Sequence, residues 1–160
     1  MKFFLHLFAL YCCSAVAAAP AEPAATTAPQ HTHNAVQIPA GLPQPSLDLN
    51  LSKDAISGFN LEIVTRHFAL EPPEKSGCCS GKILEGHAHI YINGEKIYRA
   101  YGPYIHLPEK LFKPGVNQIM VSLNDHHHNT WTEGNRGVMA TLVIDTGRDD
   151  FLLHRFVAFQ

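Results

Sequence analysis

The sequence has few charged residues and no excess of either sign. Asp, Glu, Lys and Arg make up 16% of its 160 residues, and the formal net charge is -2. Proteins that bind nucleic acid or acidic lipid carry a basic surface, so neither partner is predicted. The chain also lacks a phosphate-binding glycine loop, a dinucleotide fingerprint and a nucleophile-elbow motif. We therefore predict that it is not an enzyme.

Long hydrophobic runs are absent after the first 17 residues. The chain begins with Met1-Lys2, continues with an apolar stretch over residues 3–16 and reaches small residues at 15–17. This pattern is typical of a secretory signal peptide, and the stretch is too short to span a bilayer. We predict a signal peptide over 1–17 and a periplasmic or secreted mature protein. No membrane span is expected after the signal peptide is removed.

Cysteine is too scarce for a disulfide framework. Two of the four cysteines, Cys12 and Cys13, lie in the predicted signal peptide, which leaves the adjacent pair Cys78 and Cys79. Adjacent cysteines can form a strained vicinal disulfide, or they can stay reduced and bind a soft metal. Export favours oxidation, and both alternatives stay open at this point.

Amphipathic helix patterns are also missing, and apolar residues instead alternate with polar ones. A period of two predicts strands over residues 47–51, 60–70, 87–101, 117–123 and 137–145, and we add a short strand at 104–107 and a final strand over the apolar residues 151–159. Short strands separated by turns predict an all-β fold, an immunoglobulin-like antiparallel β-sandwich. We assign the sandwich to residues 47–160 and a disordered Ala- and Pro-rich linker to 18–46.

The clearest local motif is a hairpin around Asn93-Gly94. This dipeptide favours a type I′ turn, which needs positive φ at both central positions. A two-residue turn would pair Ile90 with Ile97. The isoleucines would then face the core, and the residues that alternate with them would face a site or solvent.

Histidine is abundant: the chain has 11, and five of them form two clusters, at 87–89 and 126–128. His87 and His89 share one face of a strand and lie about 7 Å apart along it. His126 and His128 share a side if the chain stays extended, and Asp125 could orient one of these rings. Neutral imidazole suits copper and zinc, and divalent copper outcompetes zinc at nitrogen sites.

Three motifs resemble a known group of proteins. Residues 86–94 read GHAHIYING, residues 101–107 read YGPYIHL and residues 124–126 read NDH. They resemble a small exported bacterial β-sandwich domain family with a GHAHxYxNG hairpin and an NDH strand end, whose function is unsettled. The resemblance implies a shared set of His87, His89, His106 and His126.

These observations predict an exported metal-binding protein that acts in the buffering or transfer of copper or in resistance to it, with zinc as the alternative ion. The candidate ligands are His87, His89, His106, His126, His128, Cys78 and Cys79. The alternative hypothesis is an envelope protein–protein interaction module whose exposed histidines bind no metal. That hypothesis predicts a surface patch formed by Tyr91, Tyr98, Tyr101 and Tyr104.

Overall fold

Strands account for most of the described chain. The structure is a computed structural model that describes residues 34–75 and 81–157. Its strands are β1 (Ala35–Gln37), β2 (Ser46–Lys53), β3 (Phe59–Arg66), β4 (Phe68–Leu70), β5 (Leu84–Ile92), β6 (Glu95–Ala100), β7 (Tyr104–Leu107), β8 (Val116–Asn124), β9 (Thr130–Glu133), β10 (Arg136–Gly137), β11 (Met139–Asp145) and β12 (Leu152–Val157). Two single-turn 3-10 helices, Pro73–Lys75 and Glu109–Leu111, lie between them. No helix in this part of the chain is long and apolar enough to cross a membrane.

The strands form two sheets. In the larger sheet β8 pairs with β5 on one side and β11 on the other, and β6 and β12 extend the sheet beyond these two. The smaller sheet has the order β2-β3-β7. Two pairs in the larger sheet, β1–β9 and β4–β5, are parallel. The larger sheet is therefore not wholly antiparallel, which differs from the prediction, whereas both pairs of the smaller sheet are antiparallel.

The alternating apolar residues of both sheets meet in one core. The smaller sheet contributes Leu49, Leu61 and Ile63, and the larger sheet contributes residues of β5, β8 and β11. Each fully buried side chain of this size stabilises the fold by about 1.5–3 kcal/mol before the entropy of ordering is counted. The predicted all-β sandwich is confirmed.

The hairpin turn has the predicted type. Asn93 and Gly94 have φ of 52° and 86°, and Ile92 pairs with Glu95 across the two-residue loop. The side-chain carbonyl of Asn93 accepts the backbone N–H of Gln118 at 3.0 Å. This bond ties the turn to the neighbouring strand β8.

A bulge next to Ile90 shifts the pairing of β5 with β6. Ile90 pairs with Tyr98 and not with Ile97, so the predicted register is wrong beyond the first two pairs. The shift places Arg99 directly opposite His89. Opposed residues of an antiparallel pair share a face, and a cationic side chain therefore lies on the histidine face.

Part of the predicted linker is a strand. β1 pairs with β9, and the backbone N–H of Ile38 donates to the carbonyl of Thr132 at 3.0 Å. The structure thus differs from the predicted linker over residues 35–37, because three residues are too few to show a period. Residues 1–33, 76–80 and 158–160 lie outside the described residues. The signal peptide, the rest of the linker and the pair Cys78 and Cys79 consequently stay predictions.

Candidate metal centre

His87 and His89 lie on the outer face of β5. Ala88 and Ile90, which alternate with them, belong to the core between the sheets. The histidines therefore point away from the smaller sheet. They are nevertheless only 1% and 0% exposed, because another part of the chain covers this face.

The covering element is the turn that follows β8. The strand ends at Asn124, and the chain reverses so that Thr130 pairs with Asn124. One carboxylate oxygen of Asp125 accepts the backbone N–H groups of His127 and Asn129, at 2.9 and 2.8 Å. The other oxygen accepts the side-chain amide of Asn129 at 2.8 Å. The carboxylate of Asp125 therefore holds the turn, and its role in orienting an imidazole stays a prediction.

His128 folds back from this turn towards β5. Its φ is 69°, a left-handed conformation that a non-glycine residue adopts at a cost. The ring centroid lies 4.9 Å from that of His87 and 5.4 Å from that of His89. The chain does not stay extended here, so His128 approaches β5 by a route that differs from the predicted strand.

Three ring nitrogens converge at this point. Nε2 of His87 lies 2.9 Å from Nε2 of His89 and 3.1 Å from Nδ1 of His128, and the third separation is 3.3 Å. Ligand nitrogens are about 3.3–3.4 Å apart around a tetrahedral ion with bonds of about 2.0–2.1 Å, and about 2.8–3.0 Å apart around an octahedral one. The observed separations span this interval. These three histidines could therefore hold a metal ion.

His87 disfavours a proton at neutral pH. Burial, followed by positive charge on His128, Arg99 and His126, lowers the pKa of His87 from 6.5 to about 4, while Asp125 opposes the shift. A neutral imidazole offers one N–H and one lone pair. Each of the three facing nitrogens is therefore either a hydrogen-bond donor or an acceptor, and three such atoms cannot all be paired with one another. One metal ion, in contrast, accepts the lone pairs of all three.

A polar network supports the histidines from the sheet. The hydroxyl of Tyr91 lies 3.5 Å from Nδ1 of His89, and burial raises the pKa of this phenol. Ser122 donates to the side-chain carbonyl of Asn124 at 2.8 Å, and the amide of Asn124 donates to Thr130 at 3.1 Å. A histidine that binds metal through Nε2 usually donates Nδ1–H to a second group. Tyr91 is placed to accept that bond from His89.

Gly86 allows β5 to approach the turn closely. Its φ is 154°, and a Cβ at this position would lie 2.0 Å from the backbone carbonyl oxygen of Asn124. Backbone atoms cannot yield to such a contact without moving the strand or the turn. This close approach explains the glycine that precedes His87 in the hairpin motif.

His126 lies beside the three converging rings without joining them. Its ring centroid is 6.3 Å from that of His87, and the two ring planes are inclined by 28°. Both of its ring nitrogens are buried and have no hydrogen-bond partner among the described residues. The structure thus brings His126 next to the cluster, as the sequence predicts, but outside the triangle of nitrogens.

His106 lies on the opposite side of the sandwich. It belongs to β7, is exposed and contacts the side-chain carbonyl of Asn60 at 3.2 Å. Because β7 pairs with β3, this is the outer face of the smaller sheet. The prediction that His106 shares a site with His87 and His89 is therefore wrong. The sequence shows which residues of β7 face outward, but not which sheet β7 joins.

The four tyrosines of the alternative hypothesis do not form one patch. Tyr91 is only 8% exposed, and Tyr98 packs against the core. The ring of Tyr101 contacts that of His87, with centroids 5.4 Å apart. Tyr104 is exposed on the smaller sheet. An envelope partner therefore stays a prediction, and these four tyrosines do not support it.

The comparisons with known proteins return nothing similar. No protein-family model, no curated protein and no solved structure matches the chain. The motif resemblance to exported bacterial sandwich domains stays a prediction, and the argument for function depends on the geometry of the histidines.

Proposed function

We propose that the protein binds one copper ion through His87, His89 and His128, with zinc as the alternative ion, and that it buffers or transfers this ion outside the cytoplasm. The single observation that carries the proposal is the convergence of three ring nitrogens within 3.3 Å of one another. The location is inferred from the signal-peptide pattern over residues 1–17.

The donor set favours a soft or borderline metal. Calcium and magnesium take oxygen ligands, whereas imidazole nitrogen suits copper and zinc, and copper binds such sites more tightly. The three ligands are neutral, and Arg99 adds positive charge beside them. Burying a charge is costly, so a singly charged ion meets a smaller penalty here than a doubly charged one. This argument favours monovalent copper, or a divalent ion with an anionic further ligand.

The position of the ligands favours a carrier or a buffer. His87 and His89 belong to a strand that is paired on both sides. His128 lies on a turn and is only partly buried. Movement of this turn would release one ligand and leave the core intact, which gives the ion a route in and out.

The test is a competition titration of untagged protein against a chromophoric chelator, with monovalent copper, divalent copper and zinc. We expect one equivalent of ion to bind. The double variant His87→Ala/His89→Ala should bind at least about a hundredfold more weakly. The matched control is His106→Ala/His154→Ala, which removes two exposed histidines away from the cluster and should change nothing. Affinity weaker than about 0.1 mM that the first double variant leaves unaltered would refute the proposal.

A further inference from the structure

His126 carries two buried polar atoms that the described residues do not satisfy. Neither ring nitrogen has a hydrogen-bond partner in this part of the chain. An imidazole has at least one N–H donor, and its second nitrogen is an acceptor when the ring is neutral. Buried polar groups in folded proteins are nearly always paired, because leaving them unpaired costs free energy. The ring therefore points to a ligand that is not part of the described polypeptide.

The ring lies next to the converging histidines, close enough to reach the same ion after a change in its side-chain torsions. Two imidazoles on one ion, with bonds of about 2.0–2.1 Å, have ring centroids roughly 4.5 to 6.5 Å apart, depending on the angle at the ion. The three converging rings are separated by 4.7, 4.9 and 5.4 Å. His126 lies 6.3 Å from His87, which at these bond lengths corresponds to nearly opposite positions on the ion, so a closed four-ligand site requires the ring of His126 to move towards the other three.

The turn leaves the ring of His126 room to adjust. The carboxylate of Asp125 holds the backbone of His127 and the backbone and side chain of Asn129. None of these bonds involves the ring of His126. A change in its side-chain torsions would therefore leave the turn, and with it the position of His128, intact.

We infer that His126 is the fourth ligand of the ion and fills a coordination position that the other three histidines do not occupy. This inference rests on the proposed metal binding and adds the identity of the fourth residue that coordinates the ion. Catalytic metal sites keep one position for water or substrate, whereas closed four-ligand sites hold the ion without catalysis. Four imidazoles would make this a closed site, which accords with a carrier or a buffer.

The experiment compares His126→Ala and His126→Gln with His127→Ala, an exposed neighbour on the same turn that serves as the matched control. X-ray absorption spectra of the zinc-loaded and copper-loaded proteins should show four nitrogen ligands in the unchanged protein and one fewer in both His126 variants. The affinity of these variants should fall about ten- to a hundredfold. His127→Ala should match the unchanged protein in both measurements.

The outcomes separate this inference from the proposed function. His126 variants with unaltered affinity and ligand number would overturn the inference alone, provided that His87→Ala/His89→Ala still abolishes binding. An unchanged protein that binds neither ion would remove both. Circular dichroism of each ion-free variant checks the fold, and if His126→Ala is unfolded, the ligand number in His126→Gln decides.

Discussion

Burial of His87 couples its proton affinity to folding. In the folded chain its pKa is about 4, chiefly because the ring is buried, against an ordinary value of 6.5. Between these two values the unfolded chain binds a proton that the folded chain does not. The free energy of unfolding therefore rises with pH across this window, and the stability present above pH 6.5 is lost as the pH falls towards 4.

Ion-free protein should accordingly lose stability between pH 6.5 and pH 4. The contribution of His87 is at most about 3.5 kcal/mol, since one pKa unit corresponds to about 1.4 kcal/mol. Urea denaturation at several pH values measures the effect, and His87→Leu, which carries no titratable group, should flatten the curve. A pH dependence that is the same in His87→Leu would contradict the assigned pKa.

Single residues also show what the sequence could and could not predict about the site. His87 and His89 are separated by one residue on a strand, so local geometry alone places both rings on one face. His128 reaches β5 only because the bonds of Asp125 hold the turn in shape. The contact joins residues that are far apart in the sequence, so a local pattern does not predict it. His106 is on an exposed face as a strand pattern suggests, yet its sheet depends on pairing with β3. Local patterns carry no information on such pairing.

Two turns of the molecule are built in the same way, and only one of them belongs to the site. Asp54 accepts the backbone N–H groups of Ile56 and Ser57 at 2.9 and 3.2 Å, and these bonds help to lower its pKa. Asp125 does the same for His127 and Asn129. The Asp54 turn can therefore serve as the control, because a variant that weakens it tests the effect of losing such a turn on stability without touching the histidine cluster.

Asp125→Ala and Asp54→Ala should each reduce the free energy of unfolding, because each variant removes the acceptor of two backbone N–H groups. Only Asp125→Ala should also weaken copper or zinc binding, by about tenfold or more, since it releases the conformation that holds His128. Chemical denaturation measures the first effect and chelator competition the second. Equal ion affinities in the two variants would show that the turn does not position a ligand.

The elements show the same limits of prediction as the residues. Long alternating runs predicted β2, β3, β5, β8 and β11, because one face of each is buried in the core. The strands β1, β9 and β10 have two to four residues, too few for a period. The bulge beside Ile90 was not predicted either, because Ile97 and Tyr98 fit an inward position equally well by composition.

At the scale of the whole molecule, the sandwich supplies a rigid half of the site and the turn supplies an adjustable half. β5 is flanked by β6 and β8, and its inner residues are fixed in the core. His87 and His89 are thus held before any ion arrives, which reduces the entropy lost on binding. We expect the loaded and ion-free states to differ mainly at residues 125–129.

An ion that binds only the folded chain must stabilise the whole fold. The gain is about 2.7 kcal/mol when the free ion is at a hundred times its dissociation constant, which corresponds to a rise of several degrees in the melting temperature of a chain of this size. Scanning calorimetry should show this rise with copper and with zinc, and the rise should grow with ion concentration. Calcium should have no effect, because the cluster offers nitrogen and not oxygen. In His87→Ala/His89→Ala the rise should disappear; a rise of equal size in that variant would mean that the stabilising ion binds elsewhere on the protein.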